Sequence, residues 1–304
     1  MSNIIFGPIH SRRFGKSLGV DLSPGLKQCN FDCLYCELAP AKTVDSYDEV
    51  ISVQEIVSAI RSALMEYGDI DVLTITANGE PTLYPHLDKL MDEIDKFKEK
   101  TKTLILSNAS TISDTGIRKT LLKFDQVKLS LDCVSQKCLK KLDRSHSDID
   151  IEDIKKGLLD FAKLYNQALI IEVLFVKKLN DSDTEIKGLN NFLLKLSPAR
   201  IDIGTIDRPP AYNVKPLNYR ELLEISHKFD PDLPVYIALR KKLDAKTSSY
   251  TTNQILDTLA KRPLTKSDID MLFDKDSKKR LTKMLSERKI KETDNHGVIF
   301  YTIS

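Results

Sequence analysis

The sequence lacks the marks of a membrane or an exported protein. No apolar run approaches the roughly 20 residues that a helix needs to cross a bilayer. The first 14 residues do not show the charged and then apolar order of a secretory signal. We therefore expect a cytoplasmic protein without membrane contact.

Cysteine is scarce, and charge of one sign is not in large excess. Five cysteines occur among 304 residues, and an odd number in a chain without an export signal argues against a disulfide framework. The net charge of +2 says little about partners, although residues 245–304 hold 12 basic and 8 acidic side chains. The composition is that of an ordinary globular protein.

Strand-like and helix-like segments alternate over most of the chain. Runs rich in Val, Ile and Leu predict six strands, at residues 18–22, 71–77, 103–108, 127–132, 169–176 and 200–206. Apolar residues at helical spacing predict helices at residues 53–67, 87–97, 151–165, 183–196 and 217–229. This alternation predicts an α/β protein with a parallel sheet. A doubly wound sheet fits, but our prediction is a partial (β/α)6 TIM-like barrel; both place active groups at the carboxyl ends of the strands.

The pattern changes after residue 239. Residues 240–250 are polar and predict a linker between a first domain, residues 1–239, and a second domain, residues 251–304. The second domain shows three helical patterns and then two strands around a turn. Three helices and a terminal hairpin predict a winged helix-turn-helix domain.

Three of the five cysteines lie within eight residues, at Cys29, Cys33 and Cys36, directly after the first predicted strand. Three thiolates this close repel one another unless they share a positive centre, and iron–sulfur clusters are held by cysteine thiolates. A four-iron cubane normally takes four cysteines. Three therefore leave one iron open for a substrate or a cofactor.

Other sites can be built from the same cysteines. A structural zinc site would take His10 or His86 as its fourth ligand, and an electron-transfer cluster would take Cys133 or Cys138. Cys133 and Cys138 follow the fourth predicted strand. We expect buried, inert thiols there, with a redox or hydrogen-donor role as the alternative.

The cysteine spacing C-x3-C-x2-C, with Tyr35 just before the last cysteine, resembles the signature of the radical S-adenosylmethionine (SAM) superfamily. The resemblance covers about residues 1–240. Residues 7–21 and 207–210 look like a group of uncharacterised iron–sulfur proteins related to the wyosine-base synthase of transfer RNA. That synthase uses an additional cluster, for which this chain has too few cysteines.

The resemblance implies an enzyme with two cofactors. Cys29, Cys33 and Cys36 would hold a 4Fe–4S cluster whose open iron binds SAM, and an external donor of the flavodoxin or ferredoxin type would supply one electron. Cleavage of SAM would then give a 5′-deoxyadenosyl radical that abstracts hydrogen from an unidentified substrate, with RNA as one candidate.

Polar residues at the ends of later strands are the predicted SAM contacts. Asn78-Gly79-Glu80 resembles the Gly-Gly-Glu motif that binds the methionine amino group, with Asn78 in place of the first glycine. The structural alternative for Glu80 is a carboxylate at a helix start.

Four further residues are predicted to contact the adenosine part of SAM. Tyr35 is similar to the aromatic residue that packs against adenine, and Asn108, Ser130 and Asp132 stand where the superfamily often binds the ribose. For Tyr35 the alternative is packing within its loop, and for Asn108 it is a turn.

Arg208 and Cys133 are the candidates for catalytic residues beyond these contacts. Arg208, with Arg12 and Arg13, is a candidate for binding a phosphate or carboxylate of the substrate. Solvated surface arginine is the alternative for Arg12 and Arg13. Cys133 is the candidate for the redox or hydrogen-donor role.

The third helical pattern of the second domain is basic, with Lys278, Lys279, Arg280 and Lys283. It would be the recognition helix of a winged domain, where its charge suits the phosphates of nucleic acid. A peptide partner and a purely structural role are the alternatives. The basic helix also supports a second hypothesis, a cluster-sensing regulator that binds nucleic acid.

Overall fold

An eight-stranded sheet forms the larger part of the protein. The computed structural model describes residues 4–11, 15–237, 247–261, 263–295 and 298–304. Within these ranges the sheet consists of β1 (Ile5–Ser11), β2 (Gly15–Asp21), β3 (Val72–Thr76), β4 (Lys102–Ser107), β5 (Gln126–Ser130), β6 (Leu169–Phe175), β7 (Arg200–Thr205) and β8 (Val235–Ile237).

The strands lie side by side in the order of the chain. β1 pairs antiparallel with β2, and all later neighbours pair parallel. A doubly wound sheet reverses its strand order at a switch point, so the unbroken order excludes that alternative and agrees with a partial barrel. The six predicted strands are confirmed as β2 to β7. The count is corrected to eight, because Gly7-Pro8 hides β1 from a strand pattern and β8 has only three residues.

Helices connect the parallel strands and cover one face of the sheet. They are α1 (Val53–Tyr67), α2 (Leu87–Asp95), α3 (Thr115–Leu121), α4 (Gln136–Leu142), α5 (Ile151–Ala162), α6 (Asp183–Leu196) and α7 (Tyr219–Ser226). Serine side chains cap two of these helices: Ser52 Oγ accepts from Glu55 N at 3.2 Å and Ser182 Oγ accepts from Glu185 N at 3.3 Å. In the ranges described, no helix combines the length and the apolar character that a membrane span requires.

The two faces of the sheet differ, because side chains alternate along each strand. Leu73 and Val127 belong to the face that packs against the helices, and both are buried. On the opposite face, Lys128 Nζ contacts Glu172 Oε1 and lies 3.4 Å from Asp202 Oδ2. Glu172 thus has the ionic partner that a charge on a covered strand requires.

A second group of elements, here called the C-terminal module, begins at residue 247. In chain order it contains α8 (Thr252–Lys261), β9 (Leu264–Thr265), α9 (Lys266–Leu272), α10 (Lys275–Ser286), β10 (Ile290–Asn295) and β11 (Val298–Ile303). Its strands form a separate sheet in the order β10, β11, β9. It has its own apolar core, to which Ile255, Phe273 and Leu281 contribute.

The C-terminal module packs against β1. Ile9 of β1 belongs to the apolar core of the module, and Tyr250 OH donates a hydrogen bond to Pro8 O. Gln254 Nε2 donates to Tyr67 OH, at the end of α1, at 2.6 Å. The module is therefore attached to the first edge of the large sheet.

We expect Tyr250→Phe to weaken this attachment. The substitution keeps the ring and leaves the buried carbonyl of Pro8 without its donor, so the free energy of unfolding should fall by about 1–2 kcal/mol. Urea denaturation measures the change. Tyr236→Phe is the control, because its side chain is 55% exposed and the same change there should cost less than about 0.5 kcal/mol. Equal costs at both positions would contradict the assigned contact.

Candidate active site

The cysteine loop, residues 28–36, lies across the carboxyl end of the parallel strands. Gln28 N donates to Asn78 O at 2.8 Å, and Glu80 N donates to Gln28 O at 3.0 Å. Gly79 between them has φ +142°, and a Cβ atom there would lie 1.8 Å from Gln28 O. Close packing of the loop backbone therefore already requires glycine at this position.

The opposite side of the cysteine loop rests on the end of α4. Asp32 N donates to Asp143 O at 3.0 Å, and Leu34 N donates to Leu142 O at 2.9 Å. The loop is thus held by backbone hydrogen bonds from two directions, the turn after β3 and the end of α4.

The Gln28 side chain organises the approach to the loop. Its Nε2 donates to Ser23 Oγ at 2.7 Å, and its Oε1 accepts from Asp48 N at 2.6 Å and from Glu49 N at 3.0 Å. The residue is buried. Sequence reasoning misses Gln28, because a single buried amide has no periodic signature; its place directly before the first cysteine is the only signal.

The thiols of Cys29, Cys33 and Cys36 are free of disulfide bonds. Burial, followed by the negative charge of Glu80, raises the pKa of the Cys29 thiol to about 12. Burial also raises the pKa of Cys33 well above its usual value and that of Cys36 above it. These groups become thiolates at neutral pH only when a cation replaces their protons, so the donor set fits a cationic iron–sulfur cluster.

Asn108 joins the end of β4 to the first cysteine. Its Nδ2 donates to Asn30 Oδ1 at 2.9 Å and also donates a longer hydrogen bond to Cys29 Sγ at 3.7 Å. Its Oδ1 accepts from Ser110 N at 2.9 Å, which is the turn that sequence reasoning kept as the alternative. Asn108 therefore forms that turn and also contacts a loop sulfur.

The Glu80 carboxylate connects the ends of β3 and β4. Oε1 accepts from Thr82 N, Thr82 Oγ1 and Ser107 Oγ at 3.0, 2.6 and 2.7 Å, and Oε2 accepts from Asn108 N at 2.7 Å. Glu80 is also the N-cap of a short 3-10 helix, as the structural alternative expects. Burial raises the pKa of Glu80 although these donors lower it. Among the described residues Oε2 has one donor, so it can accept a second, such as an ammonium group.

A small, partly open cavity lies beside the cysteine loop. Tyr35, Asn108, Ser130 and Asp132, all predicted SAM contacts, line it together with Cys133. Tyr35 OH donates to Asp132 Oδ2, which fixes the aromatic ring of the loop against the end of β5. The structure thus brings the predicted adenosine contacts to one place.

Two buried carboxyl groups, those of Asp132 and Asp143, line this cavity. Asp132 Oδ1 accepts from Leu174 N at 2.6 Å, and burial raises the pKa of Asp132 to about 7. Burial, followed by the charge of Asp132, raises the pKa of Asp143 well above its usual value. Sequence reasoning misses Asp143, because it lies at a helix end far along the chain from the cysteines.

Comparison with known proteins decides the family. The model of the "Radical SAM superfamily" matches residues 25–187, which is more than half of the chain. The chain belongs to the radical SAM superfamily.

Relatives and solved structures agree with this assignment. A UPF0026 protein of Helicobacter pylori (strain J99) is 43% identical over 289 residues, covering 94% of this chain and 93% of its own. A radical SAM methyltransferase from Sphaerobacter thermophilus shares the fold, with TM-score 0.57, 13% identity, and coverage of 73% of this chain and 65% of that one. A structure of polyhistidine-tagged anSMEcpe with bound AdoMet gives TM-score 0.51 and 17% identity, covering 69% and 58%.

Membership of the radical SAM superfamily confirms two predictions. The protein is an enzyme, and its cofactors are a 4Fe–4S cluster and SAM. The family designation of the Helicobacter pylori relative also fits the predicted group of uncharacterised proteins.

The prediction of buried, inert thiols at Cys133 and Cys138 is confirmed for their burial and wrong for their thiol state. The two residues form a disulfide bond, with their Cα atoms 5.5 Å apart, so they are not inert thiols. An odd cysteine count excludes a complete framework but not a single bridge. The turn between β5 and α4 brings together two cysteines only five residues apart, which no periodic pattern reveals.

The segment after β7, which contains Arg208, contacts the cysteine loop and the residue after it. Arg208 Nη1 donates to Glu37 Oε1 at 2.6 Å, and Ala211 N donates to Cys36 O at 2.8 Å. Tyr212 OH donates to Asp32 Oδ2 in the same segment. The segment after β7 therefore holds the loop in place through hydrogen bonds to Asp32 and Cys36. Whether Arg208 also binds substrate stays a prediction.

The remaining candidate residues either lie away from these contacts or fall outside the described part of the chain. Arg12, Arg13 and the side chain of His10 fall outside the described residues. His86 packs edge-on against the ring of Tyr84 at the start of α2.

The four predicted cations of α10 have partners near them. They are Lys278 with Asp270 at 2.9 Å, Lys279 with Asp276 at 3.3 Å, Lys283 with Glu287 at 3.8 Å, and Arg280 donating to Tyr250 O at 2.9 Å. The helix begins at Lys275, one turn before Lys279. Its basic surface is therefore partly neutralised by acidic neighbours.

We expect Gly79→Ala to disrupt the site, because the new Cβ would meet the carbonyl oxygen of Gln28. The free energy of unfolding should fall by more than about 2 kcal/mol, as measured by urea denaturation. Iron content after anaerobic reconstitution should fall as well.

Gly68→Ala is the matched control for this substitution. Gly68 also has a positive φ, +64°, but a Cβ there meets no atom within 4 Å. It should lower the free energy of unfolding by about 1–2 kcal/mol through backbone strain alone and leave the iron content unchanged. Equal losses in the two variants would show that backbone strain, and not the contact with Gln28, makes glycine necessary.

Proposed function

We propose that Cys29, Cys33 and Cys36 hold the 4Fe–4S cluster and that the protein cleaves SAM reductively at this loop. One observation carries the proposal: three free thiols share a loop at the carboxyl edge of a parallel sheet, beside the buried carboxylate of Glu80 and an open cavity. The raised pKa values of the thiols support it, since a metal centre must replace their protons.

When bound, the cluster and SAM supply a 5′-deoxyadenosyl radical that abstracts a hydrogen atom from the substrate. The protein binds and orients these groups. Glu80 Oε2 can accept the ammonium group of the methionine part, because it has one donor among the described residues. Asn78 and Gly79 form the turn beside it and keep the cysteine loop in place.

The adenosine part of SAM is proposed to enter the cavity beside the loop. Tyr35 offers an aromatic wall, and Asn108, Ser130 and Asp132 offer polar atoms for the ribose hydroxyl groups. Apolar side chains such as Ile154 complete the wall and keep water from the reacting atoms.

Lys27 offsets part of the negative charge that the loop would carry. Its Nζ lies 3.0 Å from Asp32 Oδ1. Although burial lowers it, the neighbouring Cys36 and Asp32 raise the pKa of Lys27 above its usual value. Lys27 is therefore charged at neutral pH. We propose an external donor of the flavodoxin or ferredoxin type as the source of the electron.

For the substrate we propose RNA, bound with the help of the C-terminal module. The order of its elements, three helices and a final hairpin, supports a winged helix-turn-helix fold for residues 251–304, after a first domain at residues 1–239 and a linker at 240–250. The sequence resemblance to the wyosine-base synthase group supports RNA as the substrate class. The acidic partners of α10 are exposed, and such pairs are weak enough for phosphates to displace. A cytoplasmic location belongs to the same proposal.

A cluster-sensing regulator would use the same α10 cations to bind nucleic acid, so these residues do not separate it from the enzymatic proposal. The electron-carrier alternative needs a fourth cysteine ligand, and Cys133 and Cys138 are bonded to each other. Membership of the radical SAM superfamily favours the enzymatic proposal over both alternatives.

Substitution of the loop cysteines tests the cluster site. Cys29→Ala, Cys33→Ala and Cys36→Ala should each lower iron content by about tenfold after anaerobic reconstitution, because each removes one of three ligands. Formation of 5′-deoxyadenosine from SAM should be lost in all three. Iron analysis, visible spectra and chromatography of the nucleoside measure these outcomes.

The double variant Cys133→Ser/Cys138→Ser is the control for thiol removal outside the loop. It should keep the iron content and spectrum of the unsubstituted protein. Cluster loss in this variant would instead indicate a fourth ligand and an electron carrier. A fully loaded, reduced protein that forms no 5′-deoxyadenosine would overturn the enzymatic proposal.

RNA binding is tested by charge reversal on α10. The pair Lys279→Glu/Lys283→Glu should weaken RNA binding about tenfold or more at low salt, because both side chains are exposed and face phosphates in the proposal. Filter binding of co-purified RNA measures it. The control pair Lys96→Glu/Lys100→Glu changes equally exposed cations on the barrel. Equal weakening by both pairs would reject α10 as the RNA-binding surface.

A further inference from the structure

The Cys133–Cys138 disulfide occupies a particular place in the fold. Cys133 lies three residues after the last residue of β5, and Cys138 lies in the first turn of α4. The bond therefore closes the turn that leads from the carboxyl end of a central strand into the helix.

The sulfur pair borders the candidate active site. Cys133 lines the same cavity as Tyr35, Asn108 and Asp132. Both cysteines are otherwise buried. Cys133 lines this cavity and Cys138 does not, so Cys133 is the sulfur on the side of the candidate active site.

Glu185 of α6 holds the same turn independently of the disulfide. Its Oε1 accepts from Val134 N and Ser135 N, and its Oε2 accepts from Ser135 Oγ at 2.9 Å. Ser135 Oγ in turn accepts from Cys138 N at 3.2 Å. These bonds do not involve the sulfur atoms, so they keep the two cysteines near each other when the disulfide is open.

A metal ion could in principle bind to the same side chains instead of a disulfide forming between them. The sulfur atoms of Cys133 and Cys138 and a carboxylate oxygen of Glu185 lie within 4.8 Å of one another. Glu185, however, already uses both oxygens to cap the turn. Coordination by its carboxylate would compete with these bonds, which favours sulfur–sulfur bonding over a metal site.

The far end of α4 supports the cysteine loop. Leu142 O and Asp143 O accept from the backbone of Leu34 and Asp32, as described above. α4 has only seven residues, so a change in its first turn reaches the loop over two helical turns.

We propose that Cys133 and Cys138 form a reversible dithiol–disulfide site that sets the rigidity of the cysteine loop through α4. The ligand class is a small dithiol. One thiolate of the reductant attacks Cys133 Sγ, the Cys133–Cys138 bond breaks, and Cys138 leaves as a thiolate that takes up a proton. The second thiol of the reductant then attacks the mixed disulfide and releases Cys133, so the reductant departs as a disulfide after giving two electrons and two protons.

The proposed cytoplasmic location supports a reversible disulfide. In a reducing compartment, disulfides are usually transient and serve catalysis or redox sensing. The bond here joins active-site elements and not two surface loops. The effect on the cluster loop rests on the proposed role of Cys29, Cys33 and Cys36; the redox behaviour of the disulfide does not.

The redox state is tested on the cluster-loaded, full-length protein under anaerobic conditions. The protein is equilibrated with reduced and oxidised dithiothreitol in graded ratios, quenched with acid, and alkylated, and the peptide that carries both cysteines is measured by mass spectrometry. We expect the two thiols to appear together in one reversible two-electron transition. In Cys138→Ser, Cys133 should be alkylated at every ratio.

The link to the loop is tested by hydrogen exchange in the two redox forms. After reduction, the amides of Asp32 and Leu34 should exchange about tenfold faster, because their acceptors lie on α4. The amides of α10 serve as the internal control and should not change.

Three results would overturn the proposal. They are the absence of the disulfide at every dithiothreitol ratio, a zinc ion retained by the two thiols, and equal exchange of the loop amides in both forms. Failure of SAM cleavage leaves the alkylation titration intact, so it is distinguishable from failure of this inference.

Discussion

The backbone of Gln28 lies against the backbone of Gly79 so closely that no side chain fits between them. This contact joins the cysteine loop to the end of β3, and the hydrogen bonds on either side of Gly79 depend on it. Glu80 follows directly and ties the same turn to β4 through Ser107 and Asn108. The position of the thiols relative to the sheet, and with it the candidate active site, is therefore set by main-chain packing and one buried carboxylate.

Electrostatics gives the site its second constraint. Three thiols and the carboxyl groups of Glu80, Asp132 and Asp143 are gathered in a region where burial raises their pKa values. Lys27 and Arg144 lie 3.0 and 3.6 Å from the Asp32 carboxylate of the loop. In such a region the carboxyl and thiol groups stay protonated and neutral unless a positively charged centre binds beside them. A cationic cluster and a sulfonium cofactor supply that charge.

Sequence reasoning predicts what repeats or clusters along the chain. The bounds of α1 and α6 and the six parallel strands follow from apolar periodicity, and the cysteine loop follows from its spacing. It fails where the deciding contact joins distant segments. Gln28, Asp143 and the bridge between Cys133 and Cys138 owe their importance to packing across the fold, for which a single sequence has no local signal. Short elements such as β8 and α4 fail for a different reason, since they contain too few residues to show a period.

The attachment of the C-terminal module also matters for the first strand of the sheet. Among the described residues β1 pairs with β2 on one side only, and its other side is where an unpaired strand would recruit a strand from another molecule. Ile9 and the carbonyl of Pro8 are instead occupied by the module. The module thus covers part of the free edge of β1 and opposes self-association there. A chain cut at residue 247 would expose this edge and should aggregate more readily.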